Sequence, residues 1–388
     1  KNHVRVKFAM PAVKTGSIVE CRYTIISNYI FNLQPWSFQN QYPHIWSEYN
    51  LELPQFFDYV ALTQGWHKYY INSKETSIKN YVVSQPKEST YGEISTERFT
   101  IGVSVSRFKW VMKDVPGLKE EPFTSTLDNH FSRIQFQLSE IRSPLAEKKV
   151  MSTWPQAAAE LLKHENFRVE LDATESVWLQ NIVSKIIHKE DNELIRATKI
   201  FEYVRDNIAC VDKTGLLRTQ TLQSVNKKKA GNVADINLLL VAMLRQAGLN
   251  ADPVILSLRS NGATHDQYPL IDRYNYVVCR AEADGKPLLL DASGRHNAFN
   301  SLPADCYNGY ARVINEEATP LLLTADSLRE VSSTTVFLAR EGNDNFTGKM
   351  ILLPGKIESD ALRGMILKDG DRAVADRYTN GSDHMLSV

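Results

Sequence analysis

A thiol attacks as its thiolate, and a thiolate needs a setting that favours negative charge: a helix N-terminus, a neighbouring cation or a metal. The sequence holds four cysteines, Cys21, Cys210, Cys279 and Cys306, and nine scattered histidines. No two cysteines make a Cys-x-x-Cys pair and no histidines an His-Glu-x-x-His pair. A zinc ribbon, a dithiol motif and a zincin site are therefore not read here, and neither metal nor cofactor is expected. Cys210 falls at the end of a predicted helix, and His265 and His296 flank a predicted strand pair. A Cys–His pair assembled from these would lack the helix-start setting that lowers a thiol's pKa. Cys279 lies within an alternating strand and reads as packing.

The segment best arranged for chemistry runs from Lys227 to Leu258. Lys227-Lys228-Lys229-Ala230-Gly231 reads as a loop, solvated or able to hold an anion at the helix start that follows. The spacing predicts a helix over Asn232 to Ala247, with Val233, Ile236, Leu240, Met243, Leu244 and Ala247 on one stripe. Asn232 is a suitable N-cap, Asp235 stands at N3 and Gly248 suits the stop. Strands are predicted over Asp252 to Leu258, Tyr274 to Ala281 and Pro287 to Asp291, the last two joined by the hairpin turn Asp284-Gly285.

This order of loop, helix, Ala-Gly-Leu turn and strand resembles the core of transglutaminase-like domains, which share a papain-like cysteine-protease layout. The resemblance extends to Tyr274-Asn275-Tyr276-Val277, to Asp284-Gly285-Lys286 and to Leu290-Asp291-Ala292-Ser293. In the first third, Met10 to Glu20, Phe31 to Trp36 and Val115 to Phe123 resemble the domain of unknown function that precedes such cores in bacterial secreted proteins. In that family a cysteine opens the helix, a strand histidine pairs with it and an aspartate orients the histidine. Carried onto this sequence, those seats fall on Val233, Tyr276 and Asp291. Valine has no nucleophilic atom, and a phenol is a poor base at neutral pH. The resemblance thus implies a degenerate triad with no catalytic residue set intact. Each residue also has a plainer reading: Val233 as core, Tyr276 as a core tyrosine bonded locally, Asp291 as a turn residue.

The elements around these residues divide the chain. Val4 to Met10, Ser17 to Ile26, Phe99 to Met112 and Ser132 to Ile141 read as strands, so residues 1–145 are expected to form an antiparallel β-sandwich. Helices are predicted over Trp154 to Lys163, Ser176 to His188 and Asn192 to Ile208, ahead of the helix and strands above. Together they make an α+β core over residues 150–325. Thr334 to Ala339, Asn345 to Leu353 and Arg363 to Leu367 read as strands, a partial β domain over 326–388. The fold class expected is multidomain α+β: sandwich, transglutaminase-like core, C-terminal β segment.

The chain has 388 residues with Lys plus Arg equal to Asp plus Glu at 45 each. That balance points to neither a nucleic-acid nor a membrane-surface partner, and no run of about 18 apolar residues predicts a membrane span. The chain opens at Lys1 on strand-like sequence, as a processed or trimmed chain would, so its start says little of location. The resemblance implies a secreted, periplasmic or outer-surface protein. The leading expectation is a non-catalytic protein that binds a peptide or glycan-peptide, or scaffolds a cell-envelope partner. The alternative is an active cysteine peptidase or amidase with a relocated nucleophile such as Cys210.

Overall fold

The structure, a computed structural model, describes residues 9–27, 33–88, 94–121, 126–151, 153–170, 173–341 and 345–380. Seven strands make up the first part: β1 (Trp36–Ser37), β2 (His44–Pro54), β3 (Phe57–Gln64), β4 (Ile71–Glu88), β5 (Ile94–Val115), β6 (Arg133–Ile141) and β7 (Lys148–Lys149). They form two antiparallel sheets, β1-β6-β3 with β7 also on β6, and β2-β5-β4. Alternation sends Ile134, Phe136 and Leu138 of β6 inward, where Ile134 and Phe136 meet Leu51 of β2 and Trp110 and Met112 of β5. Tyr49 bridges the sheets, stacking on Trp110 at 6.0 Å and on Phe136 at 5.8 Å. This is the expected sandwich, and its only helical piece among the described residues up to 151 is the short 3-10 turn Leu127–Asn129.

One expected strand fails to match, and another goes untested. Most of Val4 to Met10 lies outside the described residues. Ser17 to Ile26 belongs to no strand and is exposed along its length. Its β-branched composition favours a pleated surface only where a neighbouring strand supplies packing, and none does here.

The central part runs α1 (Trp154–Lys163), α2 (Ala173–Ile186), α3 (Glu193–Asn207), β8 (Ala209–Asp212), α4 (Leu222–Lys228), β9 (Ala230–Asn232), α5 (Val233–Gln246), β10 (Ala251–Leu256), β11 (Tyr276–Ala283), β12 (Lys286–Leu290), β13 (Gly309–Val313) and β14 (Pro320–Leu323). The last five strands form one antiparallel sheet in the order β12-β11-β10-β13-β14. The β11–β12 turn carries φ of 51° at Asp284 and 71° at Gly285, the two positive values a type I′ hairpin demands. One face of the sheet, with Val277, Cys279 and Ala281, packs on the helices. The other, with Val254, Leu256, Tyr276 and Val278, packs on Leu302 and Cys306. Helix α5 lies between the sheet and helices α2, α3 and α4 and is buried from Val233 through Leu244. The single apolar stripe read from sequence understates this: a helix apolar nearly all round is an interior helix. Cys210, expected at the end of the preceding helix, lies instead in β8, which pairs in parallel with β9.

The last part departs from an all-β segment. β15 (Ser333–Glu341) and β16 (Asn345–Leu353) form a hairpin, but α6 (Lys356–Asp369) and α7 (Asp371–Asn380) follow it. Arg363 to Leu367, expected as a strand, is inside α6. Five residues are too few to separate a period of 2 from one of 3.6. The wider window shows Leu362, Met365 and Ile366 at helical spacing, with Gly355 at the N-cap and Gly370, φ 86°, closing the end.

Candidate functional site

The start of α5 is built as a rigid corner. The Asn232 side chain accepts from the Asp235 backbone N–H at 2.7 Å, and the Asp235 carboxylate accepts from the Asn232 N–H at 2.9 Å. Asp235 also accepts from Thr219, from its N–H at 2.9 Å and its hydroxyl at 2.7 Å. Three donors thus satisfy a fully buried carboxylate. Gly231 presses against it: a Cβ at that position would stand 2.6 Å from Asp235 Cβ. Gly231→Ala is therefore expected to destabilise the core by about 1–3 kcal/mol, read as a lowered melting temperature, since neither backbone nor cap can move aside cheaply.

Val233, the first residue of the helix, is wholly buried among Leu256, Tyr276, Val278 and Cys306. Tyr276 opens β11, and Asp291 follows directly on β12. The Tyr276 hydroxyl donates to Asp291 Oδ2 at 2.9 Å and shares a second hydrogen bond of 2.9 Å with Ser293 Oγ. Asp291 Oδ1 accepts from Asn237 Nδ2 at 2.9 Å and from the Ser293 N–H at 3.0 Å. Burial, and after it the Asp291 charge, holds the Tyr276 phenol well above its ordinary range. It is a donor that keeps its proton, and it has no capacity to act as a base.

The structure thus gathers Val233, Tyr276 and Asp291 at one place. It adds Asn237, Ser293 and Asn297, which the sequence reading passed over. Asn237 lies one turn beyond Val233 and ties three segments together: its Nδ2 donates to Val277 O and Asp291 Oδ1, and its Oδ1 accepts from the Ala292 N–H, each at 2.9 Å. Asn297 Nδ2 donates to the Asp291 carbonyl at 2.9 Å. The signal available beforehand was an asparagine in the middle of an apolar helical run, a position that demands buried partners.

The remaining candidates disperse. Cys306 is buried beside Val233 and Tyr276, and burial first, then the Asp291 charge, puts its pKa well above the ordinary thiol value. Cys210 is half-buried, donates to the Asp212 carbonyl at 3.2 Å and has a raised pKa, mainly through burial. Cys279 faces the helices, on the side of the sheet away from Tyr276, and burial raises it too. Cys21 is exposed in the strandless N-terminal segment. His265 is half-exposed, 3.4 Å from Asp266. His296 lines a cavity of about 230 Å³ shared with Asp360 and Arg363 of α6. Neither histidine hydrogen-bonds Tyr276, Asp291 or a cysteine among the described residues, so no relocated Cys–His pair is assembled there. Lys227 and Lys228 end α4 and are not in a loop, and Lys229, at φ 56°, donates to Tyr203 and Asn226. Lysines in a last helical turn face their own helix's negative end, which accounts for the difference. Among the described residues no group of three or more His, Cys, Asp or Glu is placed to hold a metal ion.

Residues 180–282 match the sequence profile of the transglutaminase-like superfamily. They carry a transglutaminase-like core. No curated protein sequence matches the chain. Among solved structures, a candidate protease of Parabacteroides distasonis is similar at 14% identity and a TM-score of 0.44, over 80% of this chain and 54% of that one. This chain therefore spans about half the length of that protein. A candidate cysteine protease of Cytophaga hutchinsonii is similar at 12% identity and a TM-score of 0.26, over 80% of this chain and 92% of that one. A TGase is similar at 10% identity and a TM-score of 0.25, over 60% and 47%. In the transglutaminase-like core of this chain, the matched segment spans α5, β10 and β11, and so holds Val233 and Tyr276. No helix among the described residues is long and apolar enough to cross a membrane.

Proposed function

We propose that this chain is a non-catalytic transglutaminase-like protein that binds a peptide or glycan-peptide, or scaffolds a partner, at the cell envelope, in a secreted, periplasmic or outer-surface setting. The observation that carries the reading is the Tyr276–Asp291 hydrogen bond with Val233 packed beside it. An aspartate that would orient an imidazole is here saturated by a phenol, and the helix start offers a methyl-bearing side chain where a thiolate would gain from the exposed N–H groups. The raised pKa of Cys210 and Cys306 argues against either as a substitute nucleophile.

The test is turnover. The purified chain is expected to show no transamidation and no amide hydrolysis above background on glutamine-containing and cell-wall peptides, before or after iodoacetamide. Turnover that iodoacetamide abolishes would overturn the reading and direct attention to Cys210.

A further inference from the structure

The outer face of the sandwich carries a cluster of exposed aromatic rings that the core site does not use. Tyr49 and Leu51 of β2 turn inward, so the alternate residues Trp46, Glu48 and Asn50 lie on the outer face. Trp46 pairs across the sheet with Lys113 of β5. Tyr70 donates its N–H to the Val111 carbonyl at 2.7 Å, which brings its ring centre within 5.8 Å of that of Trp46, the two planes inclined at 70°. Lys113 Nζ stands 5.6 Å from the centre of the Tyr70 ring. The Lys113 carbonyl accepts from His67 Nε2 at 3.1 Å, and Trp66 adjoins His67 with ring centres 5.6 Å apart. Trp46 is 47% exposed, Tyr70 63% and Trp66 69%.

Single apolar side chains on a surface are ordinary, but a contiguous set held in place is not. The Trp46 indole N–H donates to Glu48 Oε2 at 3.0 Å, and Glu48 is held in turn by Asn50 Nδ2 at 2.8 Å and by Lys109 Nζ at 3.0 Å. With its N–H bonded, the indole offers a partner only its ring. Fixing an exposed ring costs side-chain entropy and returns little burial, so the arrangement contributes to binding more than to folding. The ions of this face are matched, Glu48 by Lys109 and Lys113 by Asp114 at 3.8 Å, which suits a neutral partner. At 150–250 Å² for a whole aromatic side chain, the three rings expose roughly 400 Å². That is the size of a functional surface patch, about 300–600 Å². It is half of the ~800 Å² that each partner gives to a standard protein interface. Pyranose rings with equatorial substituents present flat C–H faces that stack on aromatic rings, and a rim of hydroxyls. Asn50 Oδ1 and Lys113 Nζ stand beside the rings to meet those hydroxyls.

We infer that Trp46, Tyr70 and Trp66 form a stacking platform for a neutral glycan of flat, β-linked pyranose rings, with Asn50 and Lys113 hydrogen-bonding its hydroxyls. The platform belongs to the sandwich alone and goes beyond the reading of the core: it stands whether or not the core turns over an amide.

The test is calorimetric titration of the whole chain with tetra-N-acetylchitotetraose and, as a neutral peptide of similar length, N-acetyl-tetraalanine amide. The tetrasaccharide is expected to bind saturably with a Kd below about 1 mM, and the peptide at least about tenfold more weakly. Trp46→Ala removes a stacking surface and is expected to weaken the tetrasaccharide at least about tenfold, with a melting temperature within about 3 °C of the wild type. Tyr70→Ala should weaken it likewise, and it serves if Trp46→Ala folds poorly. No saturable heat with the tetrasaccharide, unchanged binding in the variants, or a peptide bound as tightly as the sugar would each overturn the proposal.

Discussion

Val233→Cys with Tyr276→His is expected to create the most reactive thiol in the chain. The new sulfur opens α5, where the exposed N–H groups and the helix dipole favour the thiolate. The imidazole takes the place of a phenol already directed at Asp291, so the carboxylate that now accepts from Tyr276 can orient the ring. The native thiols supply the baseline: Cys279 and Cys306 are buried and Cys210 is half-buried, all three with pKa raised, and Cys21 is exposed with no helix start to activate it. Alkylation by iodoacetamide at pH about 7, followed by peptide mapping, should label residue 233 at least tenfold faster than any native cysteine, an order of magnitude typical of a pKa lowered by one or two units. The single change Val233→Cys should react less, because the Tyr276 hydroxyl stays bound to Asp291. A restored thiol no faster than Cys21 would mean that the helix start and the Asp291 strand do not share a catalytic geometry.

Asn237→Ala is expected to cause the largest loss of stability of any single polar substitution in the core. The side chain supplies two donor contacts and one acceptor contact inside a region with no solvent access. Its removal strands the Val277 carbonyl, the Ala292 N–H and one of the bonds that satisfy Asp291. Each buried group left unpaired costs about 1–3 kcal/mol, and relaxation keeps the total below the sum, near 4 kcal/mol. For a unit of the core's size that lowers the melting temperature by about 8–16 °C. Tyr276→Phe removes two hydrogen bonds, to Asp291 and Ser293, where Asn237→Ala removes three, and should cost less. A melting temperature for Asn237→Ala within about 3 °C of the wild type would show that water or a neighbouring group replaces the asparagine.

Much of the core was legible because its signals are local. Asn232 and Asp235 mark the start of α5, Gly248 its stop, and Asp284-Gly285 the hairpin, and each is a statement about neighbouring backbone. The sandwich strands β5 and β6 were legible through alternation of large apolar residues. What escaped depended on partners far along the chain. Ser17 to Ile26 has strand composition but no edge to join. Lys227 and Lys228 read as loop because charge was weighed before the helix they finish. The bond from Asn237 to Asp291 spans 54 residues, and Cys306 comes beside Tyr276 only through a sheet order that places β13 next to β10. No local window holds either relation. The hydrogen bond from Arg273 to Gln135 is of the same kind, spanning 138 residues.

The corner at Asn232, Asp235 and Thr219 has a further meaning for how such a protein can change over generations. The helix start is held by groups on either side of residue 233 and asks nothing of that side chain except that it fit an apolar space. Valine and cysteine are close in volume, so either can occupy it with little penalty to folding. Reactivity and foldedness are therefore separately inherited here. A lineage can surrender its nucleophile, drift as a binding protein and recover a thiol without rebuilding the scaffold, provided that the neighbouring asparagines and aspartates are kept.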